Sequence, residues 1–406
     1  MLTSEQKAKI QSILNEAVGN KVIPALFFGV ATRDALEIHL SGNKYFDDPF
    51  SDPIDENTIF WLCSQTKLIA AIAGHQLIEQ GKIQLDTPVE EIIPELANPV
   101  VVTAHDENGR ISATRPAVGK ITFGQLFNHS SGLDYNLDGT TPSSGVPIAY
   151  SNTYTSPDVS EFFKILKGPL DGIPLRFDPG TSFTYGFSND VLGFIVENVS
   201  GKTLEQYFKD HIFGPLGLNS ATFYPTAEVK SRLLPLTYRN ADGSLVRWPL
   251  PPPVDAEAEL IKLHLGGVGL YATEKDYLTV LQHILQIQGG TAANPILSQT
   301  SVARLFEQTL TPAGAEAISA LITTWSEGVG LPPNSAQWGY GFSVTTADAP
   351  GLRKKGTGSW GGWATTVYLI DPTTGIAVVA GTQLAPSGDP TFVKIFNQLQ
   401  QVVYSK

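Results

Sequence analysis

The hydrophobic pattern changes its period along the chain, and it predicts strands at both ends with helices between them. Alternating or short apolar runs typical of strands occur at 25–31, 36–40, 339–346, 364–370 and 376–383. Helical spacing of apolar residues covers 4–18 near the N-terminus and 391–404 at the C-terminus. We therefore expect one antiparallel sheet, built from the N- and C-terminal strands and flanked by the terminal helices.

The central part of the chain is predicted to be mostly helical. This pattern indicates an α+β fold, with a sheet-containing part at 1–62 and 330–406 and an inserted helical part at 63–329. Residues 97–120 form a polar excursion with little periodicity. Residues 134–156, rich in Gly, Ser, Thr, Asn and Tyr, are predicted to form a long surface loop that lines a cleft between the two parts.

The most informative stretch is 58–81, where a short apolar run leads into a strongly apolar helix. Ser64 opens this helix and Gly81 ends it, which are the residue types favoured at those two positions. The first three turns are apolar on nearly every side, so the helix is expected to be buried. Lys67 lies one turn after Ser64 and on the same face.

This spacing of a serine and a lysine suggests nucleophilic chemistry. A serine hydroxyl becomes a good nucleophile when a base takes its proton, and burial can lower the pKa of a lysine enough for that role. Backbone N–H groups at the helix start can stabilise an oxyanion. Ser-x-x-Lys also begins at Ser4 and Ser41, but only the sequence around Ser64 is apolar on both sides.

Composition limits the other classes of function. The 406 residues are 42% hydrophobic and 16% charged, which predicts a large folded core. The net charge of −12 argues against a nucleic-acid partner, and no apolar run is long enough to span a membrane. With a single cysteine and no signal-peptide pattern at the N-terminus, we expect a cytoplasmic protein. The sequence does not indicate the oligomeric state.

Several other residues with reactive side chains are expected to have structural roles. Cys63 adjoins Ser64, but free cysteines are usually packed as small hydrophobic residues. His129 lies at a helix end, where a histidine commonly caps carbonyls or holds a loop. The glycine-rich segment 265–273 lacks the spacing of a phosphate-binding loop, and no pair of histidines has metal-ligand spacing. We predict no metal and no cofactor.

Five segments, taken in order, resemble the serine β-lactamase and penicillin-binding-protein superfamily. Ser64-Gln-Thr-Lys67 is similar to its first motif, and Pro179-Gly-Thr-Ser-Phe-Thr-Tyr185 resembles the approach to its second. The other three segments are 121–133, 215–218 and 266–273. The resemblance covers about residues 20–400 and implies the β-lactamase-like fold.

The sequence departs from β-lactamases at two motifs. Two residues after Tyr185, where β-lactamases have a substrate-binding asparagine, this chain has Phe187. Their third motif is Lys-Thr-Gly, and its best-placed counterpart here is Trp360-Gly361-Gly362. Trp-Gly-Gly resembles carboxylesterases and lovastatin-type acyltransferases of the same fold. Lys355-Gly-Thr-Gly358, just upstream, is the alternative match to the third motif.

The resemblance implies roles for particular residues. Ser64 would be the nucleophile, Lys67 and Tyr185 would share its proton, and the backbone N–H groups of Ser64 and Trp363 would form the oxyanion hole. The substrate-binding residues would be Trp360, Gly361, Gly362 and Phe187.

The function implied by the resemblance is hydrolysis of a small carboxylic ester through an acyl-enzyme. Transfer of the acyl group to an alcohol is the main alternative, with β-lactamase or D-amino-acid peptidase activity less favoured by Phe187 and Trp360. A non-catalytic binding protein on the same fold is the alternative from another class. The tryptophans Trp61 and Trp325 are expected to pack in the core.

Overall fold

The computed structural model describes residues 2–137, 147–150, 154–250, 253–325 and 331–405. The helices of these residues are α1 (Ser4–Gly19), α2 (Thr66–Glu79), α3 (Phe123–Phe127), α4 (Ser160–Lys167), α5 (Ser188–Ser200), α6 (Leu204–Phe208), α7 (Ala227–Arg232), α8 (Glu274–Gln288), α9 (Gln299–Leu305), α10 (Pro312–Trp325) and α11 (Pro390–Tyr404). The strands are β1 (Ala25–Ala31), β2 (Leu36–Gly42), β3 (Ile59–Trp61), β4 (Val100–His105), β5 (Ile111–Pro116), β6 (Pro174–Leu175), β7 (Thr237–Arg239), β8 (Leu245–Arg247), β9 (Tyr271–Thr273), β10 (Ala336–Trp338), β11 (Ser343–Thr345), β12 (Gly358–Gly362), β13 (Thr366–Asp371), β14 (Ile376–Gly381) and β15 (Leu384–Ala385).

The main sheet has seven strands in the order β10-β11-β12-β13-β14-β1-β2. All its neighbouring strands are antiparallel, and all come from the two ends of the chain. The ends meet where β1 pairs with β14, with Phe27 opposite Gly381. The predicted sheet of N- and C-terminal strands is confirmed.

The two faces of this sheet pack against different layers of helices. Successive side chains of a strand point to opposite faces, so neighbouring residues of β1 belong to different cores. Phe28 packs with Leu14 of α1 and Leu399 of α11, in the smaller core. Phe27 packs with Leu278 of α8 in the larger core, which the helical part of the chain shares. The flanking terminal helices were therefore predicted correctly.

Helix α2 runs through the larger core and is buried over nearly its whole length, from Thr66 to Leu77. The apolar run before it forms β3, which pairs with β9 outside the main sheet. Helix α8 lies within the segment 63–329 but packs against β1 and β14 of the sheet. The division into a sheet part and a helical part at those boundaries stays a prediction.

Two local features differ from the sequence-based expectation, and two further predictions fall on residues that the structure does not describe. Residues 97–120 contain the hairpin of β4 and β5, which the pattern missed because five of the six residues of β5 are exposed. Helix α10 was not predicted. The side chain of Trp325 and part of the expected loop at 134–156 lie outside the described residues.

None of the helices within the described ranges is both long enough and apolar enough to cross a lipid bilayer.

Candidate active site

Ser64 lies in a tight turn between β3 and α2. A short helical turn, Cys63–Gln65, precedes the α-helix, which begins at Thr66. Cys63 has a left-handed backbone conformation, with φ of 49°, which is costly for a residue with a side chain and is common near functional sites. Ser64 does not cap the helix as expected, and its Oγ lies 3.0 Å from the Nζ of Lys67.

Lys67 is almost completely buried, with 1% of its surface exposed. Its Nζ donates to the carbonyl oxygen of Gly267 at 2.7 Å and lies 4.7 Å from the ring centre of Tyr185. Burial alone lowers the pKa of Lys67, but the phenol groups of Tyr135 and Tyr185 and the carboxylate of Asp190 outweigh it, so the net shift is upward. Contrary to the expectation, burial therefore does not make Lys67 a free base, and Lys67 rests as an ammonium ion.

Tyr185 stands beside the serine and the lysine and is held by aromatic neighbours. Its hydroxyl oxygen accepts a hydrogen bond from Nε1 of Trp360 at 2.9 Å, and its ring packs on that of Trp360 at 5.0 Å. On another side His129 packs against the same ring at 4.8 Å. The structure thus brings together the three residues proposed for proton transfer.

His129 is fully buried and has a supporting position, as expected. The backbone N–H of Gly186 donates to its Nδ1 at 3.4 Å, and its Nε2 lies 3.1 Å from Nδ2 of Asn189. Burial, reinforced by the charge of Lys67, keeps the pKa of His129 well below its usual value. A neutral imidazole therefore holds the backbone that carries Tyr185.

A chain of hydrogen bonds behind Lys67 was not foreseen from the sequence. Tyr150 donates to Oδ2 of Asp190 at 2.7 Å, and the Tyr135 hydroxyl lies 2.8 Å from that of Tyr150. Oδ1 of Asp190 accepts from the backbone N–H of Gly267 at 2.8 Å. Because the carbonyl of Gly267 accepts from Lys67, this chain links the buried carboxyl group to the ammonium.

Asp190 is completely buried in the first turn of α5. Burial raises its pKa to about 6, although Lys67 and the hydrogen bonds from Tyr150 and Gly267 oppose the shift. An acidic residue five positions after Tyr185, opening an otherwise apolar helix, is the signal that could have identified it. Tyr150 gave no comparable signal, because it lies in a polar stretch without periodicity.

The third candidate motif lies on a strand edge beside the Ser64 turn. Among the residues that the structure describes, strand β11 pairs with β12 only at Gly358 and Ser359, so its pairing stops short of Gly361 and Gly362. A Cβ at Gly362 would lie 2.4 Å from the carbonyl oxygen of Leu62 and 2.5 Å from Oγ1 of Thr366. Only glycine allows this close approach, which brings the end of β12 next to the serine.

A cavity of about 300 Å³ opens at Ser64. Its lining is mainly aromatic and glycyl around the serine, with contributions from Trp61, Tyr135, Tyr150, Tyr185, Trp360, Gly361, Gly362 and Trp363. Trp61 is both packed in the core and part of this lining. The site therefore combines a serine, an ammonium and a phenol at the mouth of a largely apolar space.

Phe187 does not line this cavity. It is 4% exposed and packs at 4.8 Å and 5.6 Å against the rings of Tyr135 and Tyr150, which do line it. The Phe187 ring is used in core packing, and its role as a substrate-binding residue stays a prediction. A phenyl ring has no amide group with which to bind a substrate as an asparagine would.

The two alternatives to the chosen residues also have unsuitable positions. Lys355 is exposed and is not part of the cavity lining, which supports Trp360 as the third-motif residue. Cys63 is fully buried, and burial raises the pKa of its thiol. The backbone N–H groups of Ala364 and Trp363 lie close to that thiol, and the oxyanion role of Trp363 stays a prediction.

Comparison with known proteins defines the class of protein. A family model described as Beta-lactamase matches residues 10–402, so the chain belongs to the beta-lactamase family. Among its relatives, a lovastatin esterase of Penicillium rubens is 30% identical over 356 residues, covering 85% of this chain and 82% of the relative. Acyltransferase calJ of Penicillium decumbens is 28% identical over 434 residues, covering 97% and 94% respectively.

The solved structures agree with this assignment. Simvastatin synthase from Aspergillus terreus superimposes with a TM-score of 0.81 at 25% identity, over 99% of this chain and 98% of that one. The β-lactamase-like fold is thereby confirmed. The chain is an enzyme of the serine β-lactamase fold, and its chemistry is ester hydrolysis or acyl transfer on small acyl substrates.

Replacing Gly362 tests whether the close approach of β12 positions the site. Gly362→Ala should lower kcat/KM for an ester by about 100-fold, because the methyl group pushes the strand away from the Ser64 turn. Steady-state kinetics and a melting temperature measure the effect on activity and folding. Gly19→Ala is the matched control, since no heavy atom lies within 4 Å of its Cβ. Equal kinetics for both variants would contradict the geometric argument.

Asp190 should make stability depend on pH in a defined direction. Its pKa in the folded protein, about 6, exceeds the ordinary 3.8, so the protonated carboxyl stabilises the folded state below pH 4. The free energy of unfolding should fall by about 3 kcal/mol as the pH rises from 4 through 6. Urea unfolding at several pH values should show this loss in the native protein and not in Asp190→Asn. Asp34→Asn, at an exposed turn, controls for removal of a surface charge. Parallel pH profiles for the native protein and Asp190→Asn would refute the assignment.

Proposed function

We propose that this chain is a serine carboxylesterase that cleaves small esters through an acyl-enzyme on Ser64. The observation that carries the proposal is the contact of 3.0 Å between the Ser64 hydroxyl oxygen and the Lys67 ammonium, with Tyr185 beside them at an apolar cavity. Hydrolase and acyltransferase names among the relatives support the same chemistry.

The first step needs a group that takes the serine proton. Lys67 is held as an ammonium, so we assign proton acceptance to the Tyr185 oxygen. In the reactive form of this pair, Lys67 keeps its proton and the Tyr185 oxygen carries none. The charge of Lys67 and the hydrogen bond from Trp360 both stabilise negative charge on that oxygen. Ser64 then attacks the ester carbonyl as its proton passes to Tyr185.

Collapse of the tetrahedral intermediate follows from the same groups. The backbone N–H groups of Ser64 and Trp363 are proposed to stabilise the oxyanion, since β12 ends beside the serine turn. Tyr185 returns its proton to the departing alcohol, which leaves the acyl group on Ser64. Water then attacks the acyl carbonyl as its proton passes to Tyr185. Tyr185 returns that proton to the Ser64 oxygen as the carboxylic acid leaves.

The second candidate function is acyl transfer, in which an alcohol replaces water in the last step. The size of the cavity supports this candidate, because a volume of about 300 Å³ is larger than a short acyl group alone would fill. The name of the acyltransferase relative supports it as well. A β-lactam is a weaker candidate substrate, because Lys355 is exposed and outside the cavity.

Removing the nucleophile tests the proposal directly. Ser64→Ala should abolish hydrolysis of p-nitrophenyl acetate and butyrate, because it removes the hydroxyl that lies 3.0 Å from the Lys67 ammonium. Mass spectrometry of the native protein, quenched during turnover, should find the acyl group on the peptide that contains Ser64. Ser41→Ala, at a second Ser-x-x-Lys sequence, is the matched control and should keep full activity. Turnover by Ser64→Ala would disprove the mechanism.

Partitioning between water and an alcohol decides between the two candidate functions. With p-nitrophenyl butyrate and increasing concentrations of an alcohol, an esterase should release butyrate as the main product at every concentration. An acyltransferase should instead form the new ester in proportion to the alcohol, with faster release of p-nitrophenol. Chromatography measures the ratio of butyrate to the new ester. Nitrocefin, which reports cleavage of a β-lactam, should remain intact in a parallel assay. Predominant transfer at low alcohol concentration would replace hydrolysis by the second candidate.

A further inference from the structure

Two lysine or arginine side chains are buried within the described ranges, and their surroundings differ sharply. Lys67 has a carbonyl acceptor, two tyrosine rings and the serine oxygen around its charge. Arg353 lies between β11 and β12, is 4% exposed, and its buried Nε has no hydrogen-bond partner in the part of the chain that the structure describes. Burying a guanidinium without a partner destabilises a fold.

The nearest acidic group does not satisfy this charge. The carboxylate of Asp371 already accepts hydrogen bonds from four donors, namely the backbone N–H groups of Lys354, Thr373 and Thr374 and the hydroxyl of Tyr404. No carboxylate of the described residues forms an ion pair with Arg353 within 4.0 Å. Burial lowers the pKa of Arg353 to about 10, and Tyr404 and Asp371 oppose this shift only in part.

A second arginine shows how this protein satisfies a buried guanidinium by itself. Arg239 is largely buried and pairs with Asp389, whose Oδ1 lies 3.2 Å from its Nη2, and it also donates to the carbonyl of Val22 at 2.7 Å. Such a forked contact with a carboxylate matches the planar guanidinium. Arg353 presents the same guanidinium group but has no such carboxylate partner among the described residues.

The cavity at Ser64 also reaches Arg353. Its lining includes Gly361 of β12 and, on the other face of the sheet, Phe392 and Phe396 of α11. We call the part of the cavity near Arg353, Phe392 and Phe396 its arm. The walls of this arm are mainly apolar, and Arg353 is the cationic group among the residues that line it. The arm therefore fits an apolar chain with one negative charge.

We propose that Arg353 binds a carboxylate group of the substrate. The preferred esters would then have an apolar chain that begins at the carbonyl attacked by Ser64 and ends in a carboxylate. This inference rests on the proposed function, because it places the scissile ester at Ser64. Arg353 would supply substrate specificity, with no part in the proton transfers.

Matched pairs of substrates test the proposal. One series consists of p-nitrophenyl alkanoates, and the other of p-nitrophenyl half-esters of dicarboxylic acids with the same chain lengths. The native protein should prefer the carboxylated ester at the best-fitting length. Arg353→Met should lower kcat/KM for that ester by about 10-fold or more, chiefly through KM, and should change kcat/KM for the alkanoates much less. Arg353→Lys should keep part of the preference.

Lys355→Met is the matched control, since it removes an exposed cation two residues away that does not line the cavity. It should leave both substrate series unchanged. A native protein without preference for carboxylated esters at any length would overturn the proposal. Equal losses for both series in Arg353→Met would overturn it as well.

Binding of a free dicarboxylate separates this inference from the proposed function. Suberate should raise the melting temperature of the native protein and of Ser64→Ala, and should not raise that of Arg353→Met. If suberate has these effects but the native protein hydrolyses no ester, the proposed function is refuted and the carboxylate site is supported. Esterase activity with no suberate effect and no substrate preference would refute the site alone. If Arg353→Met fails to fold, a smaller suberate shift in Arg353→Lys than in the native protein gives the same decision.

Discussion

The arrangement of the site depends on one buried positive charge, the ammonium of Lys67. A cation in an apolar core is stable only when acceptors surround it, and here the carbonyl of Gly267 and the rings of Tyr135 and Tyr185 do so. These groups come from three segments that are distant in sequence. The charge therefore fixes the relative positions of α2, the Gly267 loop and Tyr185, and it sets the distance to Ser64.

The second constraint is the close contact between the sheet and the serine turn. The carbonyl of Leu62 and the end of β12 lie so close together that there is no room for a Cβ at Gly362. Packing of helices on the sheet at ordinary distances would not require a glycine there. The short pairing of β11 leaves this end of β12 open. The same gap that exposes backbone groups beside Ser64 also lets the cavity continue past the strand.

Periodicity predicted the parts of the fold in which burial follows a simple pattern. The strands of the sheet, the terminal helices and the buried α2 each have one clear period, and the pairing of both chain ends followed from them. The hairpin of β4 and β5 was missed because its exposed residues give no alternation. Ser64, Lys67 and Tyr185 could be chosen from motifs, whereas Tyr150 and Asp190 meet only through tertiary packing. The direction of the Lys67 pKa shift depends on those packed neighbours, which local sequence does not specify.

The exchange of a lysine for Trp360 at the third motif changes where charge can be recognised. A lysine there would place a cation next to the serine, whereas Trp360 directs its N–H to the Tyr185 oxygen and its ring to Trp338 and Tyr185. This position then serves to hold the phenol and cannot bind a substrate anion. The buried cation that lines the cavity away from the serine is Arg353. A substrate anion would therefore lie at the far end of an apolar chain and not beside the scissile bond, which is an arrangement suited to esters with a distal carboxylate and unsuited to β-lactams.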